Sequence, residues 1–134
     1  MRADATCLPF RAGTIRGIYA HHLLEHLRRE QARQTVQHWW RLLIPGGFLS
    51  LVVPDWKRLF AMQDVPNTAE RDKWLFGIDD TRGPYQRHLS AWSSHELEAL
   101  VMECGFSEVL PIDIATYEPL VARPRWQGGV RAVK

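Results

Sequence analysis

Hydrophobic and polar positions follow two different periods in the first third of the chain. Residues 14–20 (TIRGIYA) form a short β-favouring run, and from His22 onward the leucines take a helical spacing. Over residues 28–43 the apolar side chains recur every three to four positions, which predicts an amphipathic helix. Pro45-Gly46-Gly47 should end that helix, because proline lacks the backbone donor and glycine tolerates left-handed turns.

The rest of the chain alternates between strand and helix patterns. Residues 48–53 (FLSLVV) are nearly all apolar, as in a strand covered on both faces of a parallel sheet. Ser93 and Glu96 have the spacing of a capping box, and Gly105 stops the helix that they open. Further helices are predicted over residues 56–62 and 68–76, and further strands over residues 106–114 and 128–133.

This order of elements predicts an α/β fold in one domain, residues 1–134. A helix connects the two N-terminal strands, so a right-handed crossover makes them parallel. The two C-terminal strands are close enough in sequence to pair antiparallel. The 46% hydrophobic composition suffices for an ordinary core.

Composition and charge exclude several classes of protein. Cys7 and Cys104 form no CxxC pair, so we expect reduced thiols and a cytoplasmic location. No apolar run approaches the roughly 20 residues that span a bilayer, and we expect no membrane partner. Bases concentrate in residues 1–63 and 119–134 and acids in residues 64–118. Because the arginines are scattered and no nucleic-acid motif occurs, we expect no nucleic-acid partner.

A histidine-rich hexapeptide, HHLLEH at residues 21–26, carries the first candidate chemistry. His22, Glu25 and His26 fit H-x-x-E-H, in which two histidines one helical turn apart bind zinc and the glutamate activates a water. A third ligand would come from Glu96, Glu98 or Glu103. Since so short a pattern arises easily by chance, we expect a helix start with partly solvated histidines and no metal ligand. A zinc hydrolase is the alternative.

The flanks of the hexapeptide carry a wider pattern. Its landmarks are Asp4-Ala5, Leu8-Pro9-Phe10, Ala20-His21-His22, Leu24-Glu25-His26, Pro45-Gly46-Gly47 and Val53-Pro54-Asp55. In this order they resemble the second half of a class I S-adenosylmethionine-dependent methyltransferase, of the type 11-like, small-molecule kind. Residues 88–106 resemble that family's penultimate helix, which ends in Gly-Phe before the sixth strand. The resemblance implies a partial Rossmann-like sheet with flanking helices.

The resemblance also implies S-adenosylmethionine as the cofactor and assigns residues to its site. It places Asp4 and Ala5 against the adenine, and Ala20, His21 and His22 beside the sulfonium. It assigns the acceptor pocket to Tyr85, His88 and Trp92, in a long polar loop. Methyl transfer depends mainly on positioning, so no catalytic residue is named.

Parts of the family's pattern are missing from the sequence. No GxG occurs, whereas the family's first half carries a Gly-rich turn that holds the cofactor, and Ile15-Arg16 stands where Phe-Asp is usual. The strand at residues 14–20 would then be an exposed edge, which invites pairing. We expect a homodimer, or a partner that supplies the missing half of the sheet.

Two functions fit this pattern. The favoured one is a truncated methyltransferase-like module that lacks independent methyl transfer and acts in binding or assembly. The alternative is an active methyltransferase, on a small molecule or another acceptor, whose cofactor site a partner chain completes. Binding of S-adenosylmethionine by the chain alone would separate them.

Overall fold

A mixed four-stranded sheet organises the computed structural model, which describes residues 3–63, 68–77, 87–117 and 125–134. The strands are β1 (Ile15–His21), β2 (Leu43–Pro54), β3 (Glu108–Pro111) and β4 (Gln127–Val133), in the spatial order β1-β2-β4-β3. β1 and β2 are parallel, and β4 runs antiparallel to both of its neighbours. The predicted α/β fold, with two parallel N-terminal strands and an antiparallel C-terminal pair, is confirmed.

Two of the four described helices, the first and the last, pack on one face of this sheet. The four are α1 (Arg29–Leu42), α2 (Trp56–Ala61), α3 (Thr68–Phe76) and α4 (Ser94–Glu103). The main core joins α1 and α4 to alternate residues of the strands, and it includes Val36, Trp39, Leu49, Leu51, Leu97, Val101 and Ala132. In the described part of the chain, no helix has the length and apolar character that a membrane crossing requires.

The opposite face of the sheet carries a smaller buried cluster. Val52, Ile112 and Ile114 form it, with Tyr117 packed against them. On the same face, Tyr19 of the edge strand β1 is 56% exposed. Near β1 this face is therefore open to solvent among the described residues.

The start of the histidine-rich region differs from the predicted helix. His22 takes a left-handed backbone conformation with a φ of 53°, which ends β1 in a sharp turn. Leu24–His26 then forms one 3-10 turn, and Leu27 is already extended. Leu24 and Glu25 are both buried, whereas a surface helix buries one stripe only. The helix predicted from His22 is therefore wrong, and α1 begins at Arg29.

The predicted Pro45-Gly46-Gly47 turn lies within β2. The β1–β2 ladder shifts register between the pair Ile15–Leu43 and the pair Gly17–Phe48, so the turn loops out of the ladder. Gly46 has a φ of 73°, a conformation that glycine adopts readily. Hydrogen bonding resumes on both sides, and the strand is longer than the sequence pattern indicates.

Glu96 fixes the N-terminus of α4 through the predicted capping box. Its carboxylate accepts hydrogen bonds from Ser93 N at 2.9 Å, from Trp56 Nε1 at 2.9 Å and from Arg29 Nη2 at 2.8 Å. Burial by itself would raise the pKa of Glu96, but these hydrogen bonds outweigh it and lower the pKa to about 2.

Replacing Glu96 with glutamine should destabilise the fold in a pH-dependent way. We expect Glu96→Gln to lower the free energy of unfolding by about 1–2 kcal/mol at pH 7. Because the folded pKa lies below the ordinary 4.5, this stabilisation is present above that value and is lost as the pH falls toward 2. Urea unfolding at neutral pH and near pH 3 measures the difference.

Glu98 of the same helix provides the control. It is 51% exposed and lies 4.0 Å from His95, so Glu98→Gln should change stability by less than about 0.5 kcal/mol. An equal deficit of Glu96→Gln at both pH values would contradict the assigned role.

Candidate functional site

Three strand ends meet at one edge of the sheet. β1 and β2 are parallel, so their carboxyl ends lie together, and β4 begins at the same edge because it runs antiparallel. His22 follows β1 and donates its backbone N–H to Val52 at 2.8 Å. Pro54, at the end of β2, is paired with Gln127 of β4. Residues far apart in sequence are thus brought around a common cleft.

Both ring nitrogens of His22 are engaged at this edge. Nδ1 donates to Glu25 Oε1 at 3.0 Å, and the Gln127 side-chain amide donates to Nε2 at 2.6 Å. Glu25 is 2% exposed, and its second oxygen, Oε2, has no hydrogen-bond partner among the described residues.

A second wall of the cleft is tied to the 3-10 turn. The backbone amides of Leu89 and Ser90 donate to the Glu25 carbonyl at 2.6 and 3.1 Å. The Ser90 hydroxyl donates to the Leu27 carbonyl at 2.7 Å. These bonds dock residues 87–90 onto residues 24–27 across more than 60 positions of sequence.

The docked segments bring His26 and His88 together. Their rings meet edge-on with centroids 4.9 Å apart. His26 Nδ1 donates to the Arg87 carbonyl at 3.0 Å, and His88 Nδ1 donates to the Leu75 carbonyl at 3.2 Å. Burial lowers the pKa of His88, which favours its neutral form near pH 7.

The cleft between these walls has a volume of about 190 Å³. Its lining consists of His22, Glu25, His26, Pro54, Lys73, Trp74, Gly77, His88 and Trp126. Trp74 and Trp126 stack at a centroid distance of 5.4 Å, and Trp126 also meets the His22 ring edge-on. The site therefore combines an aromatic side with a histidine-rich side.

The residues that the resemblance assigns to the cofactor lie in different parts of the structure. His21 lies on the open sheet face, where its Nε2 and Ser50 Oγ hydrogen-bond at 3.2 Å and burial lowers its pKa. Ala20 points into the main core. Asp4 is exposed and caps a 3-10 turn, whose Ala5 carbonyl accepts from Trp39 Nε1 of α1. Of the predicted cofactor residues, His22 alone lines the cleft.

The predicted acceptor residues also separate. His88 lines the cleft, as described above. Trp92 is buried in the main core, where its Nε1 donates to Ser90 Oγ at 2.7 Å and the Arg29 guanidinium lies 4.5 Å from its ring. Its ring borders a different cleft, between α1 and α4. Tyr85 lies outside the described residues.

The H-x-x-E-H interpretation fails on geometry. It requires His22 and His26 on one face of a helix, but the backbone turns at His22 and both of its ring nitrogens are already bonded. His22 and His26 therefore do not form the helical pair that the zinc-hydrolase alternative requires.

Asp55, which the sequence analysis names only within the landmark Val53-Pro54-Asp55, has a structural role next to the cleft that was not predicted. Its Oδ1 accepts from the backbone amides of Lys57 and Arg58, and its Oδ2 accepts from Ser94 N and Oγ at 2.8 and 2.7 Å. Its own N–H donates to the carbonyl of Trp126 at 2.9 Å. An aspartate between a strand and a helix is an N-cap signal that could have revealed the first pair of bonds.

Comparisons with known proteins identify the fold. Residues 1–51 match the sequence model of the family described as "Methyltransferase domain". An S-adenosylmethionine-dependent methyltransferase from Thermotoga maritima superposes with a TM-score of 0.66 at 14% identity, covering 100% of this chain and 63% of that one. No curated protein matches the sequence.

Two further structures have the same fold. Human N-acetylserotonin methyltransferase in complex with S-adenosylmethionine gives a TM-score of 0.66 at 9% identity, covering 100% of this chain and 33% of that one. A chain of the Haloferax volcanii complex between the Trm112 methyltransferase activator and a methyltransferase gives 0.60 at 15% identity, with coverages of 98% and 59%. The chain thus spans between a third and two thirds of the proteins that it resembles.

Replacing Asp55 should loosen the whole cleft edge. In Asp55→Asn one acceptor oxygen becomes a donor that faces other donors, so we expect a loss of about 2–4 kcal/mol in the free energy of unfolding. Asp113→Asn is the matched control, because Asp113 caps only an exposed turn at Ala115 and Thr116. Urea unfolding measures both variants, and equal losses would refute the special role of Asp55.

Proposed function

We propose that this chain, which has the class I methyltransferase fold, forms the acceptor-side wall of an S-adenosylmethionine cleft and does not transfer a methyl group by itself. The observation that carries the proposal is the position of β1. It pairs with β2 on one side only in the described residues, although its carboxyl end, at His21 and His22, is where the resemblance places the sulfonium.

The charge state of this strand end supports a place beside the cofactor. The sulfonium is a cation, and an imidazolium next to it would repel it. Burial lowers the pKa of His21, which favours a neutral ring. His21 can therefore lie at this strand end without opposing a positive sulfur.

The cleft supports a small acceptor. Its volume of about 190 Å³ lies below the roughly 300–1,000 Å³ of most drug-sized pockets. Stacked Trp74 and Trp126 offer an apolar contact, while Lys73 and His88 offer polar ones. We propose a small molecule with an apolar body and a polar group as the acceptor.

A second polypeptide along β1 would extend the sheet beside the cofactor site. The sequence contains no GxG turn to hold the methionine end of the cofactor. The backbone edge of β1 can accept a further strand, and the exposed ring of Tyr19 gives that contact an apolar component. We propose that a second copy of the chain pairs with this edge and extends the sheet, in a reducing cytoplasm that keeps Cys7 and Cys104 as thiols.

Calorimetric titration with S-adenosylmethionine tests whether the chain binds the cofactor by itself. We expect no micromolar binding by the isolated chain, because the polar contacts that fix the cofactor's methionine end are missing. Micromolar binding would overturn the proposal in favour of an independent methyltransferase.

Light scattering over a range of concentrations tests the β1 contact. We expect concentration-dependent dimers, weakened at least about tenfold by Tyr19→Lys, since the new charge would be desolvated in the interface. Phe60→Lys is the matched control, because Phe60 is 58% exposed on α2 rather than on β1. A monomer at every concentration would rule out self-association and assign the missing surface to a different chain.

A further inference from the structure

We propose that Glu25, His26 and His88 form a binding site for a divalent transition-metal ion in the wall of the cleft. One ligand atom of each residue lies within 4.8 Å of the other two. Two imidazoles and one carboxylate are the protein ligands of many zinc and non-haem iron sites. This set differs from the H-x-x-E-H set, because His88 takes the place of His22.

The two histidines are oriented as metal ligands usually are. A carbonyl oxygen can only accept, so the bonds to Arg87 and Leu75 place the proton of each ring on Nδ1. The lone pair of a neutral ring is then on Nε2. Metal-binding histidines are commonly fixed in this way, through a bond from the other nitrogen to a backbone carbonyl.

The carboxylate of Glu25 provides an independent observation. It is 2% exposed, its Oε1 accepts from His22, and its Oε2 has no hydrogen-bond partner in the described part of the chain. An ionised oxygen without a partner is costly to bury. A bound cation would satisfy Oε2 and neutralise the charge.

The backbone holds the three ligands in place before any ion binds. Leu89 and Ser90 donate to the carbonyl of Glu25 itself, and these bonds set His88 beside His26. Ligand atoms at about 2.0–2.2 Å from a tetrahedral ion are about 3.4 Å apart, so side-chain movements on the order of 1 Å would close the site. His22 then acts as a positioning residue, which orients Glu25 from outside the ligand set.

Three protein ligands leave coordination positions on the ion for other groups. All three line the cleft, so an oxygen or nitrogen of a bound molecule could occupy such a position. A hydroxyl bound there would lose its proton more easily. This last step alone rests on the proposed function, whereas binding of the ion does not.

Titration of the metal-free chain, residues 1–134 without a polyhistidine tag, tests the site. Zn²⁺ is followed by calorimetry and Co²⁺ by its visible absorption. We expect one ion per chain, and His88→Ala and His26→Asn should each weaken binding by at least about 100-fold, because each removes a direct ligand. Saturating Zn²⁺ should also raise the Tm of the unaltered protein.

His95→Ala is the control, since His95 is 79% exposed on α4, away from the cleft, and should bind as the unaltered chain does. Circular dichroism checks that each variant is folded. Absence of one-to-one binding by the unaltered chain, or equal binding by folded His88→Ala, would overturn the proposal. No cofactor is present in this titration, so its outcome is separate from that of the S-adenosylmethionine titration.

Discussion

The arrangement of the cleft depends on one buried carboxylate, that of Asp55. Asp55 directly follows β2, and its carboxylate caps α2. The same carboxylate accepts two hydrogen bonds from Ser94 at the start of α4. A carboxylate buried this deeply is tolerated only when donors surround it. The positions of β2, α2 and α4 relative to one another therefore depend on Asp55. β4 also packs closely against this carboxylate. A Cβ atom at Gly128 of β4 would lie only 2.5 Å from Asp55 Oδ2, so a side chain there would collide with it.

The two adjacent histidines at the end of β1 serve opposite sides of the sheet. Alternation along a strand directs His21 to the open face, toward Ser50 and Tyr117. The sharp turn directs His22 into the cleft, where Glu25 and Gln127 bind it. A single peptide unit therefore separates a residue of the open face from a residue of the cleft.

Local patterns in the sequence predict the elements of the fold but not the contacts of the site. Strands β1 and β2, helix α1 and the capping box of α4 follow from periodicity and spacing, because each depends on residues close in sequence. The helix expected from His22 is absent because residues 87–90 hold residues 24–27 in a different turn. The roles of Gln127 and Trp126 likewise depend on partners about 50 to 100 positions away. No local pattern encodes such contacts. The cap at Asp55, in contrast, can be predicted from the sequence, because an aspartate directly before a helix is a common N-cap.

At His22 the backbone conformation lowers the stability of the fold, whereas the side chain holds the cleft together. For a residue other than glycine or asparagine, a φ of 53° is energetically unfavourable. Glycine or asparagine at position 22 would relax the backbone, yet either would remove the imidazole that links Glu25 to Gln127. A relaxed backbone and an intact cleft therefore favour different residues at this position.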